Sequence, residues 1–122
     1  MGIGERPIEQ HELIEFFGVL PEVDEEECTE FYCVEKDGIR LGATFFYTEG
    51  VHISVVTDRK SSTVFSLQHD GEFKVSRISG NKGFDCLEFT VPHLESFNEP
   101  DWGHSFNLRM FVEPHIKIEI LS

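Results

Sequence analysis

Six histidines are the side chains of this sequence whose chemistry best suits a metal centre. They are His11, His52, His69, His93, His104 and His115. None forms a close pair such as H-x-H or H-E-x-x-H, the spacings that place two imidazoles beside one ion from a single element. The sequence therefore predicts no metal site and no bound cofactor. An enzyme built on these dispersed histidines remains one of three functional hypotheses.

Three cysteines could act as nucleophiles, but an odd number cannot all pair within the chain. They are Cys28, Cys33 and Cys86. Cys86 precedes Leu87 in an apolar strand, where an inert buried thiol is commoner than a reactive one, although His69 could lie on a neighbouring strand. The start of the sequence also lacks the apolar segment of a secretory signal. We therefore predict three free thiols and a cytoplasmic location.

The segment Pro92 to His104 contains few apolar residues in alternation and predicts a long irregular loop. Loops of this length in compact domains tend to carry function. Trp102, which is followed by Gly103 and His104, and Phe97 are candidate anchors for a binding partner. In the structural alternative, Trp102 closes an open end of the sheet.

The most acidic part of the chain lies between Leu20 and Glu30 and contains no Lys or Arg. Such a segment is usually a solvated loop or a sheet edge. The functional alternative is a recognition surface for a cationic partner. Its candidate partner-binding residues are Glu22, Asp24, Glu25, Glu26, Glu27 and Glu30.

The overall charge restricts the possible partners. The chain has 122 residues and a formal net charge of −13. This charge repels nucleic acid and anionic lipid, whereas it permits a basic protein partner. The apolar runs are too short to span a bilayer. The length predicts a single domain that covers residues 1–122.

The apolar periodicity predicts one helix followed by a β-meander. Leu13, Phe16 and Phe17 share one face of a helix over residues 8–17, and Gly18 follows at the position that favours a left-handed backbone. After it, about eight short strands alternate apolar and polar residues. Asp37-Gly38 and Asp70-Gly71 predict two tight hairpins. The fold class is α+β, mainly β: an antiparallel meander that forms a strongly bent sheet, a sandwich or an open barrel.

The same alternation predicts which side chains fill the core. The expected core residues are Leu13, Phe17, Leu41, Phe45, Ile53, Val55, Phe65, Leu67, Leu87, Phe89, Leu108, Ile116 and Ile118.

A few residues carry a resemblance to a known group of proteins. A short helix ends in Phe17-Gly18, and Pro21 and Asp24 follow before the meander begins. The stretch Gly83 to Phe89 fits a late strand of the same layout. This arrangement resembles the small acidic immunity proteins of bacterial polymorphic-toxin systems, although Leu20 replaces the Trp common in that family and Val23 the His. The resemblance implies a cytosolic, non-enzymatic inhibitor.

The leading functional hypothesis is therefore a non-enzymatic acidic binding protein, an immunity-type inhibitor of a basic toxin. The alternative is a small-ligand-binding β-module, with a cavity lined by some of the 12 Phe residues and gated by the Trp102 loop.

Overall fold

A computed structural model of the protein describes residues 8–47, 49–57, 62–79, 85–94 and 99–121. These residues form one helix, α1 (Gln10–Phe17), and nine strands. The strands are β1 (Glu22–Asp24), β2 (Thr29–Lys36), β3 (Ile39–Phe46), β4 (Val51–Thr57), β5 (Ser62–His69), β6 (Lys74–Ser79), β7 (Asp85–Leu94), β8 (Pro100–Phe111) and β9 (Lys117–Leu121). The mainly β class is confirmed, and β1 is the strand that the sequence did not predict.

The strands form two antiparallel sheets, and each is a meander in chain order. Sheet A has the order β1-β2-β3-β4-β5, and sheet B has the order β6-β7-β8-β9. The sheets are not closed into a barrel, since among the described strands β5 pairs with β4 alone and β6 with β7 alone. Of the three architectures that fitted the sequence, the arrangement with two sheets is the one found.

The two Asp-Gly signals have different outcomes. Asp37 and Gly38 have φ angles of 53° and 76° and join the paired residues Lys36 and Ile39. Positive φ at both central residues is the requirement of the type I′ turn, so this hairpin is confirmed. The prediction of a hairpin at Asp70-Gly71 is wrong, because β5 and β6 belong to different sheets.

The chain changes sheets at Gly71 because the residues that follow are buried against sheet B. Phe73 is 1% exposed, and its ring stacks on Phe89 of β7 at 6.2 Å between centroids. Val75 is also buried and pairs with Phe89. Burial of these apolar side chains, at about 25 cal/mol per Å² removed from water, outweighs the local preference for a tight turn.

The prediction of a long loop between Pro92 and His104 is also wrong. Residues on both sides of its middle are paired, with Leu94 opposite Pro100 and His93 opposite Asp101. Proline cannot donate to a sheet ladder, but it is tolerated at bulges and at the first residue of a strand. Pro92 lies at a register shift in β7, and Pro100 begins β8.

Aromatic rings connect the helix to both sheets through the core. The ring of Phe17 stacks on Tyr32 at 4.8 Å, Tyr32 contacts Phe45 at 5.9 Å, and Phe45 stacks on Phe89 at 6.2 Å. The predicted core is confirmed: Phe65, Leu67 and Ile118 are half-buried against it, and the other expected residues are buried. The aromatic rings in this chain of contacts therefore fill the core and do not line a cavity.

Helix α1 is confirmed, although it begins at Gln10 rather than Ile8. It ends at Gly18, whose φ of 74° suits glycine and whose N–H donates to the Ile14 carbonyl. Arg77 of β6 holds the helix to sheet B, because its guanidinium donates to Glu15 at 2.7 Å and to Asp85 at 2.9 Å. Among the described residues, no helix has the length and apolar character needed to cross a bilayer.

Candidate partner-binding surface

The acidic segment forms the outer edge of sheet A. All three residues of β1 are exposed, and β1 pairs with β2 on one side. A turn then leads into β2, and the Asp24 carboxylate accepts hydrogen bonds from the N–H groups of Glu26 at 3.0 Å and Glu27 at 3.1 Å. The edge interpretation of this segment is therefore confirmed, and Asp24 holds the neighbouring carboxylates in a defined turn.

A groove of about 670 Å³ lies along this edge, and we call it the acidic groove. It is lined by Glu22, Val23, Asp24, Glu25, Glu26, Thr29, Phe31 and Thr44. Phe31 packs against the backbone of Gly42, where an added Cβ would lie 3.1 Å from the ring. This arrangement suits a guanidinium or ammonium group. The carboxylate oxygens accept its N–H donors, and the aromatic ring attracts its positive charge.

Glu30 does not belong to this surface, although the sequence grouped it with the other acids. Its side chain is only 8% exposed, and its carboxylate accepts a hydrogen bond of 2.8 Å from the Tyr32 hydroxyl. The same carboxylate is the main reason why the pKa of Tyr47 is raised to about 12. The pKa of Tyr32 is also raised, mainly by burial and secondly by its hydrogen bond to Glu30. Glu30 therefore has a structural role beneath the acidic groove.

The two proposed anchors are not brought into the acidic groove. Trp102 lies half-buried on β8 of sheet B, and the Lys74 ammonium lies 4.7 Å from its ring centroid. In this cation–π contact, a lysine of the chain itself occupies one face of the Trp102 ring. Phe97 lies outside the described residues.

A second groove adjoins the end of β5, and we call it the edge cleft. It has a volume of about 860 Å³ and is lined by Leu67, Gln68, His69, Val91, Pro92, His93, Leu94, Asp101, His104, Ser105 and Phe106. The sequence did not predict it, because its walls come from different sheets. The expected Trp102 gate is absent from its described lining, which includes one Phe.

Two of the three histidines that line the edge cleft, His69 and His104, are engaged in local hydrogen bonds. His69 Nε2 lies 2.8 Å from the Glu72 carbonyl, and His104 Nδ1 lies 2.6 Å from the Asp101 carboxylate. Within the described ranges, no group of three or more His, Cys, Asp or Glu side chains is arranged to hold a metal ion.

The cysteines show no arrangement for nucleophilic catalysis. All three are free thiols. Burial is the main cause that raises the pKa of both Cys33 and Cys86, which disfavours the reactive thiolate. Cys86 lies on sheet B and His69 on sheet A, so the two do not lie on neighbouring strands.

The face of sheet A between its two edges is mostly uncharged. Half-buried residues on it are Phe31, Cys33, Thr44, His52, Ser54 and Val56. Glu35 and Arg40 lie opposite each other on the same face and form an exposed ion pair. The described ring contacts of α1 and sheet B are made to Tyr32 and Phe45, which point the other way. We call this surface the outer face of sheet A.

Comparisons with known proteins support this fold. No protein-family model and no curated protein sequence matches the chain. Among solved structures, the chain is similar to a chain of a contact-dependent growth inhibition toxin–immunity protein complex from Klebsiella pneumoniae 342. The TM-score is 0.74 at 18% identity, over 98% of this chain and 97% of that chain. The resemblance to toxin–immunity systems that the sequence indicated therefore extends to the three-dimensional fold.

Proposed function

We propose that this chain is a non-enzymatic, immunity-type inhibitor that binds a protein toxin and blocks its activity. The observation that carries this proposal is the likeness in fold, over nearly the whole of both chains, to a chain of a toxin–immunity protein complex. The proposed site of action is the cytoplasm, where the three free thiols would stay reduced.

The proposed contact includes the acidic groove and the turn beside it. Glu22, Glu25, Glu26 and Glu27 are exposed, and none of them pairs with a described Lys, Arg or His side chain. Their charge is therefore available to a basic surface of the toxin. Exposed charges of this kind speed association and select partners more than they add affinity. Their reach is limited to about 8 Å at physiological salt.

The experiment uses the protein encoded directly upstream of this chain's gene as the candidate toxin. Co-expression of the chain should restore growth to cells that produce the toxin, and the purified proteins should form a complex. Failure of both would contradict the proposed function.

The role of the acidic groove is tested by Glu25→Gln, Glu26→Gln and Glu27→Gln in one variant. At low salt its association rate should fall about tenfold, and the difference should shrink at high salt because salt screens exposed charges. A matched control changes Glu9, Glu49 and Glu99 to Gln, which removes the same charge from exposed positions elsewhere. Equal association rates for the two variants would show that the groove has no specific role.

A further inference from the structure

Strand β5 forms a long edge that lacks the usual protection against pairing with another chain. Among the described strands it pairs with β4 alone, and its sequence STVFSLQH has no charged residue and no proline. Natural sheets protect such edges with charges, prolines, bulges or short strands. The register shift of β5 lies opposite Val55 and Val56, so the part from Phe65 to His69 stays regular. By contrast, the opposite edge, β1, is short and acidic.

The edge cleft lies directly beside this regular part of β5. Leu67 and Gln68 both line it. Because consecutive side chains point to opposite faces of a sheet, a cleft that both residues line opens beside the backbone edge and not over one face. The far wall has apolar side chains from the other sheet, which include Val91, Leu94 and Phe106. The edge cleft has a volume of about 860 Å³, which is large enough for several side chains.

We propose that an extended segment of the toxin docks in the edge cleft and pairs its backbone with Phe65–His69 as an added strand. This inference rests on the proposed function. Backbone hydrogen bonds to β5 would provide affinity, and the apolar wall would select alternate side chains of the segment. A second copy of this chain is the less suitable occupant, because each copy carries a net charge of −13 and the two would repel each other.

One partner can contact both edges of sheet A. Five strands at a spacing of about 4.8 Å place β1 and β5 about 19 Å apart. A standard interface of about 800 Å² on each partner is wide enough to cover this distance. The toxin would then lie across the outer face of sheet A, with the acidic groove at one side and the added strand at the other.

Hydrogen exchange tests the added strand directly, on the intact chain with and without the upstream-encoded toxin. Amides in β5 should exchange at least tenfold more slowly in the complex, whereas those of β9, another sheet edge, should not change. A pair of variants gives a second readout. Gln68 and Ser76 are exposed polar residues on the edge strands β5 and β6. Gln68→Lys should raise the toxin Kd at least tenfold, and Ser76→Lys should change it less than twofold.

The outcomes separate the two proposals. If the unaltered chain does not bind the toxin, both are overturned. If it binds but β5 gains no protection and both lysine variants bind equally well, the added strand is overturned and the immunity function stands. Dimerisation of the chain through β5, detected by light scattering and by the same exchange measurement, would also overturn the proposed occupant. Unchanged thermal unfolding of both variants would verify that they fold.

Discussion

The hydroxyl group of Tyr32 donates a hydrogen bond of 2.8 Å to the carboxylate of Glu30, and both residues are buried. The ring of Tyr32 also stacks on Phe17 of α1. Tyr32 therefore connects the helix and the hydrophobic core to the residue that lies directly beneath the acidic edge. Any change at this hydrogen bond should affect both the stability of the fold and the base of the acidic groove.

Tyr32→Phe should destabilise the protein by about 1–3 kcal/mol, because it removes a buried hydrogen-bond donor from the Glu30 carboxylate. Urea unfolding measures this loss. The matched control is Tyr47→Phe, because the Tyr47 hydroxyl also interacts with Glu30 but Tyr47 is 55% exposed, so water can replace that hydroxyl as a donor. A Tyr32 variant as stable as the control would show that the hydrogen bond contributes little.

Alkaline pH should destabilise the fold through these two tyrosines. Their pKa is raised in the folded state, to about 12 for Tyr47, while the unfolded chain releases the proton near pH 10. Between these values the unfolded state binds fewer protons, so its deprotonation favours unfolding and stability falls as pH rises. Stability should fall from about pH 10 through pH 12, and a Tyr32→Phe/Tyr47→Phe variant should show a shallower fall. Identical slopes for the variant and the unaltered protein would contradict this assignment.

Phe89→Ala should cost about 3–5 kcal/mol, the range for truncation of a buried Phe. Its ring is fully buried and stacks on both Phe45 and Phe73, so the change removes an aromatic contact between sheet A and sheet B. Phe65→Ala is the comparison, because Phe65 is only half-buried and should cost less. Denaturant melts of both variants measure the loss in unfolding free energy. A larger loss for Phe65→Ala than for Phe89→Ala would contradict the central place of Phe89 in the core.

The three thiols should differ in reactivity in the native protein. Cys86 is fully buried, and its pKa is raised mainly by burial, so it should react last with a thiol-specific label. Cys28 and Cys33 are half-buried and should react earlier. Mass spectrometry should show three labels on the unreduced protein after unfolding. A reproducible single label would reveal a disulfide bond.

Local pattern was sufficient to predict the helix, most of the strands and the core. The period of two in segments such as Leu41 to Phe45 predicts which side chains point inward, because the pleat of a strand alternates its faces. The helix end at Gly18 and the hairpin at Asp37-Gly38 were predictable for a related reason, since the left-handed backbone at these sites favours particular residues.

The tertiary structure decided how the strands divide into sheets and which surfaces they form. Asp70-Gly71 has the composition of a hairpin, yet the chain changes sheets there because burial of Phe73 depends on residues far away in sequence. The segment Pro92 to His104 lacks a regular apolar alternation, yet its two ends pair with each other beside a register shift at Pro92. Glu30 is indistinguishable in sequence from the exposed acids, and only its contact with Tyr32 separates it from them. The edge cleft was hidden for the same physical reason: its walls come from two sheets, and local sequence patterns do not record how two sheets pack.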